Sequence, residues 1–419
     1  MNILHVNAAY DPFIGGAETY VRAVSEMLCR DGHSVTLVTT NAAEVEYFWN
    51  PGKRHLAPGY EEINGVQVTR CAVGHLPLAP FSFYGLRRLA TIVARLPFNT
   101  LPVMRRLAPM MPAVPQIESV LQSQSTRFDL VHGFNIALEW PLLAAWRYAR
   151  RQALPFVATP FLHVGQSGRD DVLINYAMPH QLEALQDADA VLVQTGIEKA
   201  ALVRLGVAAD RLYELGMGVE VRSASDGDGQ GFRVRHSLGG PIVTFLGVVT
   251  YDKGSFHLVQ AMEHLWEKGL LAHLVIAGPQ VDEFKRFYRR LAPAIQDRML
   301  LLGPVHGQDK RDLLAATDVL ALPSRIDSFG IVYLEAWANR KPVIGARAGG
   351  VPDVIDDGVD GVLVEFGDVD ELAAAIQSLL ADPSRRQEMG EKGWKKVTAR
   401  YTWDKVYSRL RAVYKEVLD

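Results

Sequence analysis

The chain has 419 residues, 48% of them hydrophobic and 22% charged, with a net charge of −3. That is ordinary globular composition, long enough for two domains, and the near-neutral total gives no field that would gather nucleic acid. Cys29 and Cys71 are the only cysteines, which excludes a disulfide framework and fits a reducing, cytoplasmic setting.

The first element, Asn2 to Ala8, reads as a buried strand, and the chain enters this apolar pattern directly from Met1. With no basic start and apolar stretch before it, no signal peptide is expected. No apolar run reaches the roughly 18 residues of a membrane span. A helix is expected over 17–31, with Val21, Val24, Ser25 and Leu28 on one face, and a second strand over 34–39. Strand, helix, strand in this order implies a parallel sheet. Strand signals recur at 129–132, 155–159 and 190–194.

A second series begins at 241–247 and continues through 273–278, 299–303, 318–322 and 342–346. Between the two series, Ser223 to Gly231 is rich in Ser, Asp and Gly, the composition of a linker. Two domains follow: 1–222, completed by a last helix at 402–419, and 223–401. Within the first, residues 75–121 carry Arg87, Arg88, Arg95, Arg105 and Arg106 among apolar residues, with Glu118 as the only acid. Such sequence either covers a sheet as amphipathic helices or makes peripheral contact with an anionic membrane. Repeated prolines from Pro97 to Pro115 exclude one long surface helix.

Four constellations can carry chemistry. Gly15-Gly16-Ala17-Glu18 lies between a strand and a helix, where glycines let backbone N–H groups approach a diphosphate. Its spacing is not that of the dinucleotide fingerprint. Lys253-Gly254 follows the first strand of the second series, where a lysine can neutralise phosphate. His163 ends a strand, the edge at which open sheets place ligand groups. Gly349 and Gly350 after a buried strand suit close approach by a ligand.

The most informative stretch is 324–335, where Asp327 and Glu335 bracket Ser328-Phe329-Gly330 and an apolar helical run. Asp327 is expected to N-cap that helix, and its free N–H groups and dipole make an anion site. A helix carrying both acids would separate them by roughly 12 Å. That is the span between the two sugars of a nucleotide-sugar whose phosphates sit at the helix start. Three Asp-x-Asp matches, at 187–189, 226–228 and 368–370, are set aside as chance, and no His/Cys cluster has zinc-ligand spacing.

Residues 324–366 resemble the donor-site signature of family-4 retaining glycosyltransferases, which have the GT-B fold. The matching residues are Asp327-Ser328-Phe329-Gly330, Leu334-Glu335-Ala336, Lys341-Pro342-Val343-Ile344, Gly349-Gly350-Val351-Pro352 and Gly358-x-x-Gly361-x-Leu363-Val364. Gly15 to Glu18 and Lys253-Gly254 extend the likeness over most of the chain. The resemblance implies two Rossmann-like α/β domains facing a cleft, with the last helix crossing back to the first. It implies a nucleoside-diphosphate sugar as donor and a sugar, lipid-linked or small-molecule acceptor. Neither a metal nor a cofactor is implied.

At matching positions Glu335 would hold the ribose and Asp327 the donor sugar. The N–H groups of Phe329, Gly330 and Ile331, beside Ser328, would hold the diphosphate with Lys253, Gly15 and Gly16. His163 would sit near the reacting sugar. Two positions depart from the family pattern: its first acid is usually Glu rather than Asp327, and an Arg usually stands where this chain has Val248. Arg325 is expected to supply the missing cation. The same features admit a sugar-nucleotide epimerase, a phosphorylase or a non-catalytic nucleotide-sugar-binding protein.

Overall fold

The computed structural model describes residues 1–13, 15–166 and 172–419. The described residues form two compact units. One holds residues 1–163, 172–215 and 407–419, the other 164–166 and 216–406. The division at 215/216 falls before the Ser/Asp/Gly-rich linker expected at 223–231. The segment between them belongs to the second unit, where the Val219 N–H bonds the Tyr401 carbonyl at 2.9 Å.

The first unit is built on eight strands: β1 (Asn2–Val6), β2 (Ser34–Thr40), β3 (Gly59–Ile63), β4 (Val66–Cys71), β5 (Leu130–Phe134), β6 (Phe156–Thr159), β7 (Ala190–Val193) and β8 (Leu212–Glu214). Their order in the sheet is β3-β4-β2-β1-β5-β6-β7-β8, and only β3 runs antiparallel to its neighbour. The inner strands are short apolar runs buried on both faces, as parallel sheets with helices on each side require. The helices are α1 (Gly16–Arg30), α2 (Phe81–Ala94), α3 (Leu101–Leu107), α4 (Ile117–Gln122), α5 (Glu139–Arg151), α6 (Pro179–Asp187) and α7 (Gly196–Arg204). The doubtful segment 75–121 is therefore three helices. The inner face of α2 packs Leu86, Ala90, Val93 and Ala94 against Met104, Leu107, Met111 and Met178.

The last helix, Trp403–Leu418, returns to this first unit from residue 407 on. Its Tyr414 is fully buried, and its hydroxyl joins two histidines of the central strands, His5 Nε2 at 3.1 Å and His132 Nδ1 at 2.6 Å. His5 Nδ1 continues to Ser25 at 2.8 Å, and His132 Nε2 to Thr159 at 2.8 Å. Burial lowers His5 to about 3 and keeps His132 well below the usual histidine range, so both imidazoles are neutral in the fold.

The second unit has six parallel strands: β9 (Ile242–Leu246), β10 (His273–Ala277), β11 (Met299–Leu302), β12 (Val319–Leu322), β13 (Val343–Ala346) and β14 (Gly361–Val364), ordered β11-β10-β9-β12-β13-β14. The strand order reverses direction between β9 and β12. In open α/β sheets that switch point, at the carboxyl ends of the strands, is where ligands bind. Both units are thus doubly wound parallel sheets, as the alternation of strand and helix signals implies.

Candidate active site

The loops after β9, β12 and β13 carry the expected donor residues of the second unit. Lys253 and Asp327, one from each side of the switch point, form an ion pair with Nζ 2.6 Å from Oδ1. Arg325 lies on the same pair of loops. Its guanidinium contacts Asp252 Oδ1 at 2.7 Å, its backbone N–H bonds the Asp252 carbonyl at 3.0 Å, and it covers the rings of Phe366 and Tyr251 at 5.2 and 5.9 Å. The structure brings Arg325 beside Lys253, with its charge balanced by Asp252.

Asp327 is not the N-cap expected for the helix after it. The helix runs Ile331–Ala338, and its N-cap is Gly330 at φ 85°. A side chain at Gly330 would meet the Tyr333 ring at 2.3 Å and would sit in a left-handed backbone. The chain therefore turns sharply at Gly330, and Asp327 is left one turn outside the helix. A helical rise between the two acids does not apply. What fixes Asp327 is the glycine pair after β13: the Gly350 N–H bonds its carbonyl at 2.8 Å, and a Cβ at Gly349 (φ 61°) would lie 2.1 Å from that same oxygen.

The turn leaves the N–H groups of Phe329, Gly330 and Ile331 at the open helix start, without hydrogen bonds among the described residues. Tyr333 anchors the helix from below, its buried hydroxyl donating to the Leu322 carbonyl at 2.7 Å. Burial, then the nearby Asp327 charge, keeps that phenol protonated.

Glu335 lies on the first turns of the helix, with Oε1 2.5 Å from Lys310 Nζ. Its Oε2 is buried and has no hydrogen-bond partner among the described residues. A buried carboxylate oxygen left open is costly unless a ligand completes it. Lys310 was not legible in the sequence. It stands 25 residues upstream on another helix, and no local spacing links the two. Asp252 was missed for a similar reason, its partner Arg325 lying 73 residues away.

In the first unit, Gly15 and Gly16 open α1 and His163 follows β6. A Cβ at Gly15 would lie 2.1 Å from Glu18 Oε2, so a larger residue there would displace that carboxyl. Gly16 faces open space among the described residues, which leaves room for a ligand. Burial raises the Glu18 carboxyl to about 7. His163 stacks on Tyr176 with ring centres 4.9 Å apart. The residue before it is held by fully buried Glu198, which accepts the N–H groups of Leu162 and Gln194, each at 2.7 Å. Burial raises Glu198 to about 7, and those two N–H bonds partly oppose the rise.

The three Asp-x-Asp pairs have structural partners. Asp187 and Asp189 both hold Arg150, Asp228 accepts the Gly231 N–H, and Asp368 accepts that of Glu371.

Two family models match the chain. "Glycosyl transferase 4-like domain" covers residues 15–218, and "Glycosyl transferases group 1" covers 231–396. A D-inositol 3-phosphate glycosyltransferase of Xylanimonas cellulosilytica is 29% identical over 96% of this chain and 91% of its own length. An alpha-D-kanosaminyltransferase of Streptomyces kanamyceticus is 26% identical over 59% of this chain and 64% of its own. Among solved structures, sucrose-phosphate synthase of Thermosynechococcus elongatus superposes with a TM-score of 0.73 at 21% identity, covering 99% of this chain and 98% of that one. HepE of Anabaena, solved with UDP, superposes with a TM-score of 0.73 at 17% identity, covering 99% and 100%.

Proposed function

Because this chain belongs to the family-4 glycosyltransferases of the GT-B fold, we propose that the sugar it transfers comes from a nucleoside-diphosphate donor and keeps its anomeric configuration. The observation that carries the reading is Glu335, whose buried Oε2 lacks a partner while Oε1 rests on Lys310. Two adjacent ribose hydroxyls would satisfy it. The diphosphate would lie over the N–H groups of Phe329, Gly330 and Ile331, beside Ser328, with the Lys253 ammonium on its oxygens. HepE, solved with UDP-glucose as well as UDP, supports this donor class.

In transfer, the bond between the anomeric carbon and the leaving phosphate oxygen breaks as the acceptor oxygen bonds that carbon from the same face. The acceptor proton passes to the departing phosphate. Charge grows on the diphosphate, where the helix-start N–H groups are already oriented, and such preorganised donors are usually the largest single source of rate. Lys253 would exchange Asp327 for phosphate, and Asp327 would turn to the donor-sugar hydroxyls. With Lys253 supplying the countercharge, the chemistry is assigned no metal or resident cofactor, and treatment with a chelator should leave turnover unchanged. Full loss after chelation, restored by a divalent cation, would overturn that point.

The acceptor is assigned to the first unit, as a glycan, lipid-linked or small-molecule hydroxyl, with peripheral membrane contact through residues 75–121. No helix among the described residues is long and apolar enough to cross a membrane. The test of the donor site is Glu335→Ala. A hydrogen bond to a charged group is worth ~1.5–3 kcal/mol, so transfer should fall about tenfold to a hundredfold with the melting temperature kept. Near-normal activity with nucleotide sugars would remove Glu335 from the site.

A further inference from the structure

We infer that the outer face of α2 is a docking surface for an anionic lipid leaflet, and that the cavity beneath the same helix receives the sugar of an acceptor anchored in that leaflet. The acceptor half rests on the transfer reading above; the docking half stands without it.

The helix is apolar on both sides. Its inner face is spent on the methionine layer. Its outer face and flanks leave large apolar side chains in water: Phe81 is 80% exposed, Ile92 54%, Tyr84 53% and Leu89 49%, with Leu78 at 85% and Phe98 at 63% on either side. Residues 81, 84, 88, 92 and 95 fall on one stripe of a 3.6-residue helix. Single exposed apolar residues are ordinary, but a contiguous row of this size marks an interaction surface.

The charge on the row selects the partner. Arg88 and Arg95 share the stripe, and Arg106 lies exposed on α3. None of the three has an ion-pair partner among the described residues. From Ile63 to Ile117 the sequence contains no Asp or Glu. Aromatic and aliphatic side chains interleaved with uncompensated arginines fit the boundary between headgroups and acyl chains, where rings and guanidinium groups both find partners.

Arg87, one residue from Arg88, points the other way. It reaches the fully buried Glu139 at 2.8 Å and the Asn175 carbonyl at 3.2 Å. With Phe83 it lines a cavity of about 310 Å3 walled also by Trp49, Asn135, Leu138 and Tyr176. Trp49 stacks on Phe83 with ring centres 5.7 Å apart. Since Glu139 balances Arg87, the cavity offers aromatic faces and an amide rather than net charge. That chemistry suits a neutral sugar ring, whose C–H face packs on aromatic rings. Tyr176 is also the ring on which His163 stacks. One helix thus borders the outer apolar row and this cavity, so an acceptor tethered to the leaflet would enter beside its own anchor.

The experiment is flotation of the full chain with phosphatidylcholine vesicles and with phosphatidylcholine–phosphatidylglycerol vesicles. Binding should require the anionic lipid and weaken with salt. Arg88→Gln and Arg95→Gln should each cost about fivefold in partition. Phe81→Ser with Ile92→Ser should abolish binding while leaving the melting temperature unchanged. A fluorophore on Ile92→Cys should shift to the blue with vesicles, and one on Leu271→Cys, also exposed but in the second unit, should not. Absence of binding to either vesicle, binding indifferent to these substitutions, or a dimer in ultracentrifugation that the same substitutions dissolve would each overturn the docking surface. For the acceptor half, Trp49→Ala should reduce transfer to a vesicle-borne acceptor more than donor hydrolysis; equal loss of both would overturn it. If no donor is turned over at all while flotation persists, the transfer reading fails and the docking surface stands.

Discussion

At the residue scale the candidate site is a set of charges already paired with one another. Lys253 holds Asp327, Arg325 holds Asp252 and Lys310 holds one oxygen of Glu335. A diphosphate must compete for these cations. Arg325→Ala should therefore weaken nucleoside-diphosphate binding, and Asp252→Asn, which releases the guanidinium, should strengthen it; titration calorimetry that found both unchanged would remove Arg325 from the phosphate site. The acids were legible because their spacing and the apolar run between them lie in one short segment. Lys310 was not, because its contact with Glu335 exists only once two helices have packed.

Glu198 gives a pH signature at the same scale. Its carboxyl rises from 4.5 to about 7 in the fold. The folded state therefore holds a proton that the unfolded state has released, and the stabilisation is full below pH 4.5 and lost as pH rises through about 7. Glu18 behaves alike. His5 works in the opposite sense: its value drops from 6.5 to about 3, so its contribution is full above pH 6.5 and is lost on acidification. In Glu198→Gln the decline in melting temperature between pH 5 and 7 should be shallower than in the parent chain. An identical slope would show that Glu198 does not carry the proton.

At the element scale the turn at Gly330 decides where the helix Ile331–Ala338 begins. Gly330→Ala would force an alanine to φ 85° and its Cβ into Tyr333. A left-handed residue other than glycine costs ~1–2 kcal/mol before any clash, so urea denaturation should show at least that loss, together with weaker donor binding. Loss of neither would mean the turn can re-form elsewhere. Sequence alone favoured Asp327 as the cap because a short acid before an apolar run ordinarily serves there. Packing of Gly349 and Gly350 on its backbone overrode that preference. Strand β3 escaped detection for another reason. At the sheet edge β3 is almost wholly exposed, so it carries no apolar alternation to read.

At the scale of the whole molecule, the two doubly wound sheets followed from alternating strand and helix signals, since buried parallel strands must be short apolar runs. The position of the division did not. Residues 216–222 look like the end of the first series, yet tertiary bonds such as Val219 to Tyr401 attach them to the second unit. If the donor is held as proposed, hydrogen exchange with a nucleoside diphosphate should slow in 251–254, 327–335 and the Lys310 helix, leaving the β3–β4 hairpin unaffected. Uniform slowing across both units would contradict a site built chiefly on the second.

The Tyr414 hydroxyl also sets an order of assembly. Until residue 414 has left the ribosome, His5 and His132 in the central strands of the first sheet each lack a hydrogen-bond partner that the finished fold supplies. A buried polar group left unsatisfied costs ~1–3 kcal/mol. The unit made first is therefore completed last, after the entire second unit has been synthesised, and a nascent chain halted before the final helix would lack both of these bonds.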